Sequence, residues 1–197
     1  MTSTTALILA AGASRRFGRP KQLVDWHGRP LLEAVVAEVG SWPVDAVAVV
    51  LGAHEEEILD AVDFGEAMVI VNPEWEEGIA SSLRSGLDAV SRDSQVARAF
   101  LVLADQPNIP AEVPPGLLDA MDWSAKPAVV PKYRYQRGNP VLVDRFLWTR
   151  LMSLDGDAGA SRLFQAHPEW VHEVRFDYPA PRDIDTLEDL EDLLGGR

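Results

Sequence analysis

The chain has 197 residues, 47% of them hydrophobic, which is enough to bury a core and too many for a disordered chain. Its 18 Lys and Arg stand against 31 Asp and Glu, and the resulting formal charge of −13 argues against a non-specific nucleic-acid binder and against a protein held on anionic membrane by charge. There is no cysteine, so disulfides, thiolate metal sites and cysteine nucleophiles are excluded. No apolar run approaches the roughly 18 residues that span a bilayer. Met1-Thr2-Ser3-Thr4-Thr5 lacks the basic start of a secretory signal, so a cytoplasmic protein is expected.

In chain order, Ala6 to Ala10 is a short apolar run feeding a loop of small residues, the pattern of a buried strand and its turn. A helix is expected over Leu31 to Val39, a strand over Ala46 to Leu51 and a helix over His54 to Ala61. A strand at Met68 to Val71, a turn at Asn72-Pro73, a helix over Ser81 to Val90 and a strand at Ala99 to Ala104 follow. This alternation is that of βα units, and the unbroken apolar runs belong to strands covered on both faces. The expected fold is α/β, three-layered and Rossmann-like, with a mostly parallel central sheet.

After Asp105 the rhythm changes. Pro107, Pro110, Pro114 and Pro115 punctuate a loop, and a helix is expected over Gly116 to Met121. Strands at Ala128 to Val130 and Val141 to Val143 flank a basic and aromatic connection, Lys132 to Asn139, which suits either a substrate loop or a solvated one. Phe146 to Met152 and Ala160 to Ala166 read as helices, and Val171 to Phe176 as an alternating strand. Thr186 is an N-cap for a last helix through Leu194, ended by Gly195 and Gly196. No repeat or linker divides the chain, so one domain over residues 1–197 is expected.

The strongest candidate site is Gly12, Ser14, Arg15, Arg16, Gly18 and Lys21, behind the first strand. Small residues let backbone amides approach phosphate oxygens, and Arg and Lys neutralise a triphosphate or its pyrophosphate leaving group. The spacing is neither a Walker A loop nor the dinucleotide fingerprint, and an ordinary glycine turn with surface arginines remains open. Asp105 lies just beyond an apolar strand, where ligand crevices of open α/β sheets form and where a carboxylate can hold Mg2+; a turn-capping role is the alternative. Asp183 and Asp185 alternate in an extended segment, so both carboxylates can face one side, although acidic residues also favour a helix start. Asn72, Trp75, Gly78, Ser81 and Ser82 form a third patch able to contact a base or ribose. Gly138-Asn139-Pro140 can present Asn139 to a substrate, and Gly156-Asp157-Ala158-Gly159-Ala160 suits either a close backbone approach or an Asp-capped helix. The four histidines have no metal-site spacing, and there is no Gly-x-Ser-x-Gly elbow.

Leu9 to Lys21 resembles the signature loop of MobA-like nucleotidyltransferases, and further matches are Asn72 to Gly78 with Ser81-Ser82-Leu83, Asp105-Gln106-Pro107, Gly156 to Ala160 and Asp183 to Thr186. These span nearly the whole chain. The resemblance implies a nucleotide-binding part over about 5–105 and an acceptor-binding part over about 106–194. It implies that Ala10, Ala11 and Gly12 approach the nucleotide, with Ser14, Arg15, Gly78 and Ser82 around it, and that Arg16 and Lys21 bind its phosphates. Mg2+ is implied at Asp105 and Asp185, with Asp183 orienting or supplementing that site. Ala10-Ala11 before Gly12 is more similar to the molybdenum cofactor cytidylyltransferase branch than to the guanylyl branch. The substrates implied are CTP and a molybdopterin-type cofactor, with a recipient molybdoenzyme as partner and no nucleic acid. One departure stands out: that branch usually carries Gly-His-Pro where this chain has Gly138-Asn139-Pro140. The alternatives are another phosphorylated acceptor, an NAD(P)H-dependent oxidoreductase on the same scaffold, or a non-catalytic cofactor carrier.

Overall fold

The computed structural model describes residues 2–195. The first strand, β1 (Ser3–Leu9), lies between β4 (Ala46–Leu51) and β6 (Val96–Leu103) and is parallel to both. The sheet runs β10 (Val171–Phe176), β7 (Ala128–Tyr133), β9 (Val141–Asp144), β6, β1, β4, β5 (Met68–Val71), and β8 (Gln136–Arg137) pairs with β7. Only β9 and β8 run against the other strands. A separate hairpin, β2 (Asp25–Trp26) and β3 (Arg29–Pro30), was not foreseen; His27 and Gly28 turn it with positive φ, and Trp26 is buried.

Strand alternation sorts the core into two layers. Ala6, Ile8, Val49, Leu51, Phe100, Val102 and Leu142 face one side, where they meet α1 (Leu31–Gly40), α2 (Glu55–Ala61), α4 (Val113–Trp123) and α7 (Leu187–Leu194) through residues such as Leu32, Ile58, Leu117 and Leu190. Leu7, Ala48, Val50, Leu101, Val141 and Val143 face the other, against α3 (Ile79–Ser91), α5 (Trp148–Met152) and α6 (Ala160–Ala166) through Leu83, Leu87, Trp148, Leu151 and Phe164. This is the expected three-layer α/β arrangement with a mostly parallel sheet. No helix among the described residues is long and apolar enough to cross a membrane.

Three expectations are corrected. The fourth helix begins at Val113 rather than Gly116, because Pro114 and Pro115 fall in its first turn, where the missing amides would be unpaired anyway. Most of the connection from Lys132 to Asn139 is a tight antiparallel turn, Lys132 opposite Arg137 and Tyr133 opposite Gln136, with Arg134 at φ 50°. The third helix begins at Ile79 instead of Ser81. Gly196, expected to help end the last helix, lies outside the described residues.

The start of α7 follows the sequence closely. Thr186 Oγ1 accepts from the Asp189 amide, and the Asp189 carboxylate accepts from the Thr186 amide, a reciprocal capping box. Asp189 also accepts from the Asp185 amide, so the cap fixes the candidate metal ligand beside it. Thr186→Ala is expected to lower stability by about 1 kcal/mol, read as a shift in the urea unfolding midpoint without change in slope.

Candidate active site

The site forms where β1 and β6 end side by side. The chain turns from β1 toward β4 in one direction and returns to β6 in the other, and the carboxyl ends at such a switch point leave a crevice. The loop after β1 occupies it. Ser14 has φ 53°, and its carbonyl accepts from the amides of Phe17 and Gly18. The buried Gln22 holds the loop from below: its Nε2 donates to the carbonyls of Ala10 at 2.7 Å and Gly12 at 3.0 Å. The Ala11 carbonyl accepts from the Ala53 amide at 3.0 Å. Three successive carbonyls are therefore bound within the protein, while the amides of residues 11–16 donate to no described residue. A run of unpaired amides after a strand suits an anion.

Two cations and two carboxylates meet at the rim. Lys21 Nζ lies 2.5 Å from Asp105 and 3.6 Å from Asp185, and Arg16 donates to Asp185 at 2.8 Å. The Asp105 amino-acid segment is tied to the second acidic motif through its backbone, since the Ile184 amide donates to the Asp105 carbonyl at 2.9 Å. Asp183 accepts from Gln106 Nε2 at 2.5 Å. Burial raises the Asp183 carboxyl above its ordinary value, and the charges of Asp105 and Asp185 add to this, against the opposing pull of Gln106 and Lys21.

A cleft of about 470 Å³ opens beneath the loop, lined by Ala10, Ala11, Gly12, Ser14, Arg15 and Lys21 on one side and Gly78, Ser82, Asp105 and Asp157 on the other. The structure thus brings together most of the residues singled out from sequence. Arg16 and Asp185 stand at its rim, in contact with Lys21 or with each other. Ser81 and Ser82 both accept from the buried Asn72 amide, so that patch holds α3 to the end of β5 as well as facing the cleft through Ser82. Of the two readings of Gly156 to Ala160, the close approach is the one realised. The Ala80 amide donates to the Gly156 carbonyl, and a Cβ on Gly78 would stand 2.6 Å from the Gly156 carbonyl carbon. Asp157 makes no side-chain cap to α6.

Asn139 sits apart from these residues. It lines a second, apolar cavity of about 340 Å³ formed by Leu83, Leu101, Val130, Val141 and Phe164, with Arg137 at its edge. The two cavities share Leu9, Ile79 and Leu103 as a common wall. Arg137 Nε donates to Glu173 at 2.7 Å, and Lys132 donates to the same carboxylate at 2.8 Å. Residue-by-residue reading missed Gln22 and the role of Gln106, whereas Trp75 and Asp157, both singled out there, line the cleft. The one available signal was a glutamine next to each candidate charge, Lys21 and Asp105.

The MobA-like NTP transferase domain model matches residues 6–171, and the chain belongs to that family. It is 29% identical to the nicotine blue oxidoreductase of Paenarthrobacter nicotinovorans over 96% of each chain. It is 23% identical to the molybdenum cofactor cytidylyltransferase of Escherichia coli over 74% of this chain and 72% of that one. The crystal structure of Rv0371c from Mycobacterium tuberculosis in complex with manganese superposes with a TM-score of 0.85 at 26% identity, covering 100% of both chains.

The ion pairs that anchor the apolar cavity give a pH signature. Hydrogen bonds from Lys132 and Arg137 hold the Glu173 carboxyl below its ordinary value. A depressed carboxyl contributes stability above its unfolded value and loses it as pH falls through the folded one. Glu173→Gln is therefore expected to lower the unfolding midpoint at pH 7 and to approach the parent protein at pH 3, as followed by urea titration at the two pH values.

Proposed function

We propose that the chain transfers CMP from CTP to the terminal phosphate of a molybdopterin-type molybdenum cofactor and releases pyrophosphate. The observation that carries this reading is the convergence of Lys21, Arg16, Asp105 and Asp185 at the mouth of a cleft roofed by unpaired loop amides. The family assignment and the cytidylyltransferase relative support the reaction type and the choice of nucleotide. Within this reading the nucleotide-binding part spans about 5–105 and the acceptor-binding part about 106–194, and both cavities draw residues from each part, Asp157 lining the polar cleft and Leu83 and Leu101 the apolar one.

The amides of residues 11–16 and the side chains of Arg15, Arg16 and Lys21 receive the triphosphate. The acceptor phosphate supplies its own nucleophilic oxygen, so the chain needs no dedicated base. The new bond forms to the α-phosphorus, the bond to the β-phosphate oxygen breaks, and pyrophosphate leaves with that electron pair. Lys21 and Arg16 stabilise the charge that builds on the departing group. Gln22 keeps the loop in one shape before substrate arrives, so most of the rate comes from positioning.

Asp105 and Asp185 are the residues that would hold Mg2+. Asp105 Oδ1 is buried and has no hydrogen-bond partner, and an oxygen left in that condition suits a hard cation. When bound, the ion offsets phosphate charge. The related Rv0371c structure is a complex with manganese, which supports use of a divalent ion.

A second reading rests on a specific observation: the relative similar over 96% of this chain is named an oxidoreductase. Pyrophosphate release and nicotinamide oxidation separate the two. Purified protein with Mg2+ is expected to release pyrophosphate with CTP and molybdenum cofactor together, and not with either alone or with other nucleotides. Absence of release with folded protein and intact cofactor, alongside oxidation of NADH or NADPH, would overturn the transfer reading. Binding of the cofactor without either reaction identifies a carrier that delivers it to a molybdoenzyme.

Asp105→Asn and Lys21→Met test the assignment of roles. Each is expected to lower turnover by about 10²-fold or more, the scale of losing one charge-stabilising group in a water-poor site. Asp105→Asn should also raise the Mg2+ concentration for half-maximal rate, and Lys21→Met the CTP concentration. Unchanged steady-state kinetics in either variant removes that residue from the mechanism.

A further inference from the structure

The polar contacts of the apolar cavity have a direction. Gln106 Nε2 donates to Asp183 Oδ1 at 2.5 Å, which commits the Gln106 amide nitrogen to that side. That leaves Gln106 Oε1 on the other side, where it accepts from Asn139 Nδ2 at 3.1 Å. Asn139 has then committed its amide nitrogen, and no described residue donates to its Oδ1. The backbone around it is held as well. Tyr133 Oη donates to the Asn139 carbonyl at 2.7 Å, and Gly138 leaves room for the Tyr133 ring, which a Cβ there would approach to 2.9 Å. The Tyr133 side chain is buried, and burial keeps its hydroxyl protonated and donating.

We infer that Asn139 is a specificity residue of the 340 Å³ cavity, selecting an acceptor whose apolar body carries an N–H or O–H donor at its edge, with Gln106 as the positioning residue that sets this polarity. The body of such a ligand is matched by Leu83, Leu101, Val130, Val141 and Phe164. Its donor is matched by the free lone pairs of Asn139 Oδ1. A ligand with only acceptor atoms at that edge leaves Oδ1 unpaired in an apolar setting, which costs binding. Arg137 at the edge has its Nε engaged by Glu173, and its terminal amino groups stay available to an acceptor or anionic ligand, which the phosphate arm of the test separates. The cavity's preference is set by this chain's own triad of Asp183, Gln106 and Asn139. The inference rests on the transfer reading only in calling the ligand of this cavity the acceptor.

Two isosteric probes test it by calorimetry at pH 7.5: quinolin-2(1H)-one, whose ring N–H is a donor, and coumarin, which carries a ring oxygen in place of that N–H. The protein is expected to bind the first about tenfold more tightly, the factor for one hydrogen bond near 1.4 kcal/mol. Asn139→Leu should bring the two affinities together. Gln106→Leu should do so as well, by freeing the Asn139 amide to turn, and it keeps the test open if the first variant does not fold. Equal affinities in the parent protein, binding of neither probe, or a preference that survives both substitutions overturns the inference. Phenyl phosphate is the third ligand, and tighter binding of it than of the N–H probe, lost in Asn139→Leu, would equally overturn it. Manganese and CTP, titrated into the parent protein separately, report on the transfer reading. Failure there with probe discrimination intact removes that reading alone, and nucleotide binding without discrimination removes this inference alone.

Discussion

The position of β1 governs the molecule. Its central residues Ala6, Leu7 and Ile8 are wholly enclosed, with parallel partners on both edges and a helical layer on each face. A strand so placed can release its chain only at its ends. Because its neighbours run the same way, all three strands deliver their following loops to one side. The phosphate loop after Leu9 and the carboxylate after β6 therefore arrive at the same edge without any contact having to pull them there. The Lys21–Asp105 pair closes a gap that the sheet has already made small.

Local charge and total charge do different work here. The chain carries a formal charge of −13, yet its cleft mouth holds Arg15, Arg16 and Lys21. Interactions between exposed charges fade over about 10 Å at ordinary ionic strength, so the acidic surface elsewhere has little influence on a phosphate at the loop. Within the site the balance is tighter. Lys21 is largely buried beside two carboxylates, and Arg16 reaches one of them from solvent. Lys21 and Arg16 each have a carboxylate partner with which an arriving anion must compete.

The sheet was legible because its strands are continuous apolar runs, and burial on both faces is what such runs require. The helices α1 and α7 were legible for related reasons, an apolar stripe in the first and a reciprocal cap in the second. The start of α4 was misjudged because two prolines read as loop punctuation, whereas the first helical turn tolerates them. Asp105 and the glycine loop could be found from local pattern, since each follows a strand end, and Lys21 from its charge within the same loop region. Gln22 and Gln106 could not. Their importance lies in which carbonyl or carboxylate they reach across the fold, and an amide side chain carries no periodicity or charge that announces such a partner. Asn139 was visible as a departure from a motif, but its setting in an apolar cavity depends on residues from α3, β6, β7, β9 and α6 that no local spacing connects.

The contact between Gly78 and Gly156 has a mechanical consequence. With the Ala80 amide bound to the Gly156 carbonyl and no space for even a methyl group between the two glycines, the head of α3 and the loop before α6 form one stiff partition. Gly78 and Asp157 face the polar cleft from that partition, Gly159 and Ala160 face the apolar cavity, and Ile79 faces both. The two chambers thus share part of their wall with segments that lie 78 residues apart in the chain, at Gly78 and Gly156. A side chain introduced at Gly78 would push on the Gly156 backbone and so disturb the lining on both sides.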